Sequence, residues 1–90
     1  MNELNMLRKK IDRIDQKILN SLAKRMMIVS KIGEYKRQKD ISILDADRKS
    51  LVLDSWLSQG EALGLDQSLV KDIYNLLHAY ALEQEKEVEK

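Results

Sequence analysis

Residues 4–37 read LNMLRKKIDRIDQKILNSLAKRMMIVSKIGEYKR, and their spacing decides the fold. Apolar side chains recur at Leu4, Leu7, Ile11, Ile14, Ile18, Leu22, Val29 and Ile32. Steps of three and four are the period of a helix with one buried face, and the alternation in twos that marks a strand is absent. Lys9, Arg13, Gln16, Lys17, Asn20, Lys24, Lys31 and Glu34 supply the opposite, water-facing side. The chain has no Pro, and its first Gly is Gly33, so nothing interrupts the pattern. The stretch predicts one continuous helix.

Two cations break the stripe. At about 100° per residue, Arg25 and Lys36 fall near its centre rather than at its edge. A charge on a buried face requires a partner of opposite charge and good hydrogen bonds. One reading has each side chain snorkelling to the rim or joining a structural ion pair. The other, favoured by two such cations three turns apart, is an anion site inside a helical bundle.

A helix of roughly 34 residues is about 50 Å long at 1.5 Å per residue. A 90-residue globule has a radius of gyration near only ~12 Å, so the rest of the chain cannot cover such a rod. A single domain spanning residues 1–90, completed by a second copy in a homodimer with helices paired across the two-fold axis, is the expected solution. Charged residues make up 34% of the chain, yet the net charge is only +1, so there is no one-sided basic excess of the kind that binds nucleic acid. With no Cys, disulfides and thiolate chemistry are excluded. No apolar run approaches the ~18 residues of a membrane span, and residues 1–7 lack the apolar core of a signal peptide. The expectation is a cytoplasmic protein that contacts neither membrane nor nucleic acid.

Beyond the long helix, QKDISIL (38–44) breaks the period and predicts a short loop. Asp45 or Asp47 then caps a second helix, from about Ala46 to Leu63, whose inner face is expected to carry Arg48, Leu51, Val52, Ser55, Gln59 and Ala62. Gly60 and Gly64 are expected to end it. Asp66 caps a third helix with apolar positions at Leu69, Val70, Ile73, Leu76, Leu77, Tyr80 and Ala81, and the charged run from Glu83 to Lys90 is expected to fray. The fold class is therefore all-α, with three helices.

The chemistry this chain can hold is narrow. No Cys–His pair exists, and the one His, His78, sits mid-helix, where a partly buried or surface histidine is the ordinary reading. No HExxH, CxxC or EF-hand pattern points to a metal, and no Gly-rich loop to a phosphate cofactor. Trp56 and the Tyr residues read as packing. What remains is a set of inward cations, Arg25, Lys36 and Arg48, with Arg8 on the flank of the first helix, where it could serve a partner's site. Such a set suits a small dicarboxylate: Arg recognises carboxylates bidentately, and Lys supplies a point charge. Catalysis there would work by positioning and electrostatics.

The run LRKKIDRIDQKILNSLAKR (7–25), then KIGEYK (31–36), then DADR (45–48) resembles the all-helical class of chorismate mutase, over nearly the whole chain. The resemblance implies an intertwined dimer of three-helix chains, with no cofactor and no metal. It implies an isomerase that converts chorismate to prephenate by a Claisen rearrangement, at the branch to Phe and Tyr. Carried over by position, Arg8 resembles the arginine that reaches the partner's site, and Arg25 the one that binds a substrate carboxylate within its own chain. Lys36 resembles the lysine that contacts a carboxylate and the ether oxygen of the breaking bond. Asp45 and Arg48 match positions that complete the pocket.

Three positions depart from the family's commonest pattern. Lys49 stands where the family usually has a Glu that binds the substrate hydroxyl. On the third helix Ala81 and Glu85 stand where Ser and Gln are usual, in an ungapped match. A one-residue shift would bring Gln84 into the site instead, with Tyr80 in the Ser position. The ungapped match is preferred, because it keeps Ile73, Tyr74 and Leu77 on apolar positions. Glu85 in that position donates a hydrogen bond to the ether oxygen only when protonated, and a free Glu carboxyl titrates near ~4.3. The departures leave two alternatives: the related isochorismate-pyruvate lyase, which shares the Arg, Arg, Lys set and makes salicylate, and a non-catalytic helical dimer.

Overall fold

The computed structural model describes residues 2–89, with side chains described from 2 to 86. It contains three helices, α1 (Glu3–Gln38), α2 (Ala46–Ala62) and α3 (Gln67–Glu89), and no strand among the described residues. Each boundary has a local cause. Asn2 caps α1, its side chain accepting from the Asn5 N–H at 2.8 Å. The Asp45 carboxylate caps α2, accepting from the Arg48 N–H at 2.9 Å. Asp66 does the same for α3, from the Leu69 N–H at 3.3 Å. After α1 the chain turns through Asp40, in the left-handed region at φ 56°, and the Ile41 N–H returns to the Lys36 carbonyl at 2.8 Å. α2 closes with Leu65 N–H on the Gly60 carbonyl at 2.9 Å and Gly64 at φ 75°.

α1 packs on α3 and α3 on α2, while α1 and α2 do not pack on each other. Contacts rise together in sequence between α1 and α3, Ser30 meeting Gln84 and Lys36 meeting Glu85, so these helices run parallel. α2 runs back between them in direction: Gly60 lies against Val70 and Trp56 against Tyr74. Trp56 and Tyr74 pack edge to face, with ring centroids 5.3 Å apart, and Tyr74 is the most buried apolar residue at 3% exposure.

Three expectations are corrected. The inner face of α2 runs through Val52, Trp56 and Gly60, not through Leu51, Ser55 and Ala62, which are exposed. α2 has one neighbour, α3, and only the line of residues touching it is covered. Gly60 does not end α2 but is buried within it: a Cβ there would lie 2.7 Å from Val70 Cγ2, so its lack of a side chain sets the α2–α3 approach. The charged run from Glu83, expected to fray, is helical to Glu89, with Gln84 and Glu85 held against α1; Lys90 lies outside the described residues.

The molecule is a rod, 57 × 26 × 14 Å, with a radius of gyration of 16.6 Å. A compact chain of this length would have about 12 Å. Its apolar core is thin, with Val29, Val70, Tyr74 and Ala81 buried, and the N-terminal stripe of α1 lies open: Ile11, Ile14 and Ile18 are each more than half exposed. No described helix is long and apolar enough to cross a membrane.

Candidate active site

The site begins at the crossing of α1 and α3. A Cβ built on Gly33 would stand 3.0 Å from Glu85 Cα and 3.3 Å from its carbonyl oxygen, so glycine admits the α3 backbone there. Gln84 Nε2 donates to Ser30 Oγ at 2.6 Å, which fixes the rotation of α3. With Gln84 held at Ser30, Glu85 turns inward, and at 6% exposure it is a buried charged residue. Its Oε1 lies 3.0 Å from Lys36 Nζ, one turn beyond Gly33. Lys36 Nζ also donates to the Ile43 carbonyl at 2.8 Å, so the loop after α1 folds back over the same amine.

This pair closes one end of a cavity of about 350 Å³, between the C-terminal half of α1, the start of α2 and the second half of α3. Of the residues singled out in the sequence, Arg25, Lys36, Asp45, Arg48, Lys49, Ala81 and Glu85 all line it. Four cations against two carboxylates leave two positive charges in excess on its walls. Val29, Ile32, Val52 and Leu82 supply the apolar wall, which strengthens the field of those charges. Arg25 is half-buried, and its Nη1 is buried with no hydrogen-bond partner. Among the described residues no carboxylate pairs with it, so the structural ion pair considered for Arg25 is not formed. Lys49 makes no ion pair either, although Asp45 stands one turn away. Arg8 does not line this cavity; it sits on the exposed N-terminal half of α1.

Two titratable lining residues, Tyr74 and His78, read in the sequence only as packing and as a partly buried or surface histidine. His78 is half-buried, stacked on the Tyr74 ring with centroids 5.8 Å apart, and its Nε2 is buried with no partner. Its pKa is lowered from 6.5, first by burial and next by the charge of Lys49, with Arg25 and Lys36 adding to the shift and Glu85 opposing it. One signal was available: Tyr74, His78, Ala81 and Glu85 follow one another at steps of four, three and four, a single face of α3.

A cavity with two surplus cations and an unpaired guanidinium nitrogen is suited to holding a small dianion. The chain is 34% identical over 86 residues to the T-protein of Enterobacter agglomerans, covering 93% of this chain but 23% of that protein. It therefore spans less than a quarter of that relative's length. It is 31% identical over 87 residues to a chorismate mutase of Methanocaldococcus jannaschii, covering 94% of this chain and 88% of the relative. It is 29% identical over 76 residues to a 4-amino-4-deoxychorismate mutase of Streptomyces venezuelae, covering 84% and 74%. The family model for chorismate mutase type II matches residues 7–86, a span that takes in all three helices and every residue lining the cavity. With that match over most of its length, the chain belongs to the type II chorismate mutase family.

Proposed function

We propose that the chain rearranges chorismate to prephenate, with Lys36 and Glu85 at the breaking ether bond and Arg25 and Arg48 on the substrate carboxylates. The observation that carries this reading is the Lys36–Glu85 pair at one end of a cavity with two surplus positive charges. In the rearrangement a C–O bond breaks as a C–C bond forms within one molecule. No proton moves and no group leaves, so neither a base nor a nucleophile is required. Negative charge builds on the ether oxygen as its bond to carbon lengthens. An ammonium already held by the Ile43 carbonyl meets that charge without reorganising, which is how a fixed donor lowers a barrier. Glu85 adds a second donor when protonated. When ionised it is the counter-ion of Lys36 instead and offers the ether oxygen no hydrogen. The arginines hold the substrate folded with its reacting carbons together.

A homodimer completes the reading. The chain exposes 7407 Å², against ~5,400 Å² for a compact monomer of its 10.5 kDa. The excess is of the order buried by a permanent subunit interface. An apolar groove of about 530 Å³, walled by Ile14, Ile18 and Leu22 of α1 and by Trp56, Ile73 and Leu77, lies beside the open stripe of α1 and fits a second helix. A partner's α1 laid there would carry the partner's Arg8 toward this chain's cavity as a further carboxylate ligand.

The test is product identification after separate incubation with chorismate and isochorismate. Prephenate from chorismate is expected. Salicylate and pyruvate from isochorismate alone would make the chain a lyase, and no product from either would make it a non-catalytic dimer.

A further inference from the structure

The cavity has two ends. Lys36 and Glu85 form one. Seven residues earlier on α3 stands His78, and eleven earlier on α1 stands Arg25. Since α1 and α3 run parallel, both lie on the same side of the Lys36–Glu85 end, with His78 about 10 Å from Glu85 along the axis at 1.5 Å per residue. This far end holds two buried polar atoms that find no partner in the chain, Arg25 Nη1 and His78 Nε2. Buried polar groups are nearly always paired, so two orphans lining one cavity mark where a ligand's atoms belong. Ala81, one turn from His78 on the same face, is too small to occupy that space.

Resting on the mutase reading, we propose that His78 and Arg25 together bind one carboxylate of the substrate, the imidazole donating from Nε2–H beside the guanidinium. The ligand class is a carboxylate rather than an alcohol or an ammonium, for a reason of charge. Arg25 and Lys36 on α1, Arg48 and Lys49 on α2 with Asp45 at its N-cap, and Glu85 and Tyr74 on α3 are the charged and titratable groups that line the cavity with His78. Cations dominate this set, so the far end has no counter-charge until an anion arrives. Stacking on Tyr74 fixes the ring plane, which pre-orients the donor. In the free protein burial and Lys49 keep the imidazole neutral. A carboxylate placed against it reverses that balance, and the ring then takes up a proton as the ligand binds.

His78 is the only histidine in the sequence, so its ring resonance can be followed by NMR without assignment ambiguity. The free protein should titrate below 6.5, and saturation with prephenate should move the midpoint upward by about one unit or more. His78→Leu should raise KM for chorismate about tenfold with a smaller change in kcat, the loss of one hydrogen bond to a charged group. His78→Gln, which keeps a donor but cannot titrate, should recover most of that loss and weaken the dependence of prephenate affinity on pH between about 5.5 and 7.5. If prephenate binds but the His78 midpoint stays or falls, the inference is wrong while the mutase reading stands. If prephenate does not bind and chorismate is not converted, both are wrong.

Discussion

Lys36 and Glu85 behave as one unit, and their substitutions separate two effects. On the proposed mechanism, Lys36→Ala removes a donor whose value lies in the transition state, so kcat should fall more than KM rises, by roughly 3–4 kcal/mol in steady-state kinetics. Glu85→Gln converts a group that donates only when protonated into one that donates at any ordinary pH. Glu85→Gln should therefore raise kcat/KM for chorismate at pH 7.5 in steady-state kinetics. A value unchanged by the substitution would remove Glu85 from the chemistry. His78 adds a stability effect of its own. Its proton is held less tightly in the folded chain than in the unfolded one, where it titrates near 6.5. The unfolded state then binds more protons as pH drops below 6.5, so this part of the stability is present above that pH and lost as pH falls through the lower folded value. Thermal melts of the free protein should show the loss, and His78→Gln should remove it. At this scale the sequence was informative about cations and silent about histidine. Arg25 and Lys36 stood out because they broke an apolar period. His78 breaks nothing on α3, and its role depends on Arg25 and Lys49 brought from other helices.

Among elements, the α1–α3 crossing governs the site. Gly33→Ala in an exposed helix would stabilise, since Ala is the better helix former by ~1 kcal/mol. Here the new methyl meets Glu85 Cα at 3.0 Å, and backbone cannot rotate away. Overpacking of this kind costs about 1–3 kcal/mol, so the net effect on stability should be negative by about 1 kcal/mol. Displacing α3 also draws Glu85 from Lys36, so activity should fall more than the change in melting temperature alone implies. Circular dichroism melts and kinetics on the same preparation check both. Helix α1 was legible because its stripe is long and regular. The face of α2 was not, because the helix packs on α3 alone through the line of Val52, Trp56 and Gly60, and Leu51 stays 67% exposed despite its type. The end of α3 reads as a solvated charge run, and only the parallel course of α1 beside it explains why Glu85 is buried.

For the whole molecule, the decisive fact is shape. Sedimentation at micromolar concentration should give twice the chain mass, and a folded, active monomer would exclude both the dimer and the cross-subunit role of Arg8. Arg8→Ala and Lys36→Ala chains, each inactive alone, should recover about a quarter of wild-type activity when unfolded together and refolded, since half the dimers are mixed and each has one intact site. Heterodimers without activity would refute the shared site. The open stripe of α1 has one more consequence. If a second copy covers that stripe, as proposed, a chain with so thin a core gains much of its apolar burial only by meeting another, and folding and association become one equilibrium governed by mass action. Catalysis then scales with more than the number of chains present. Dilution should melt the protein as well as thin it, and a cell making too few copies would hold peptide with no enzyme in it.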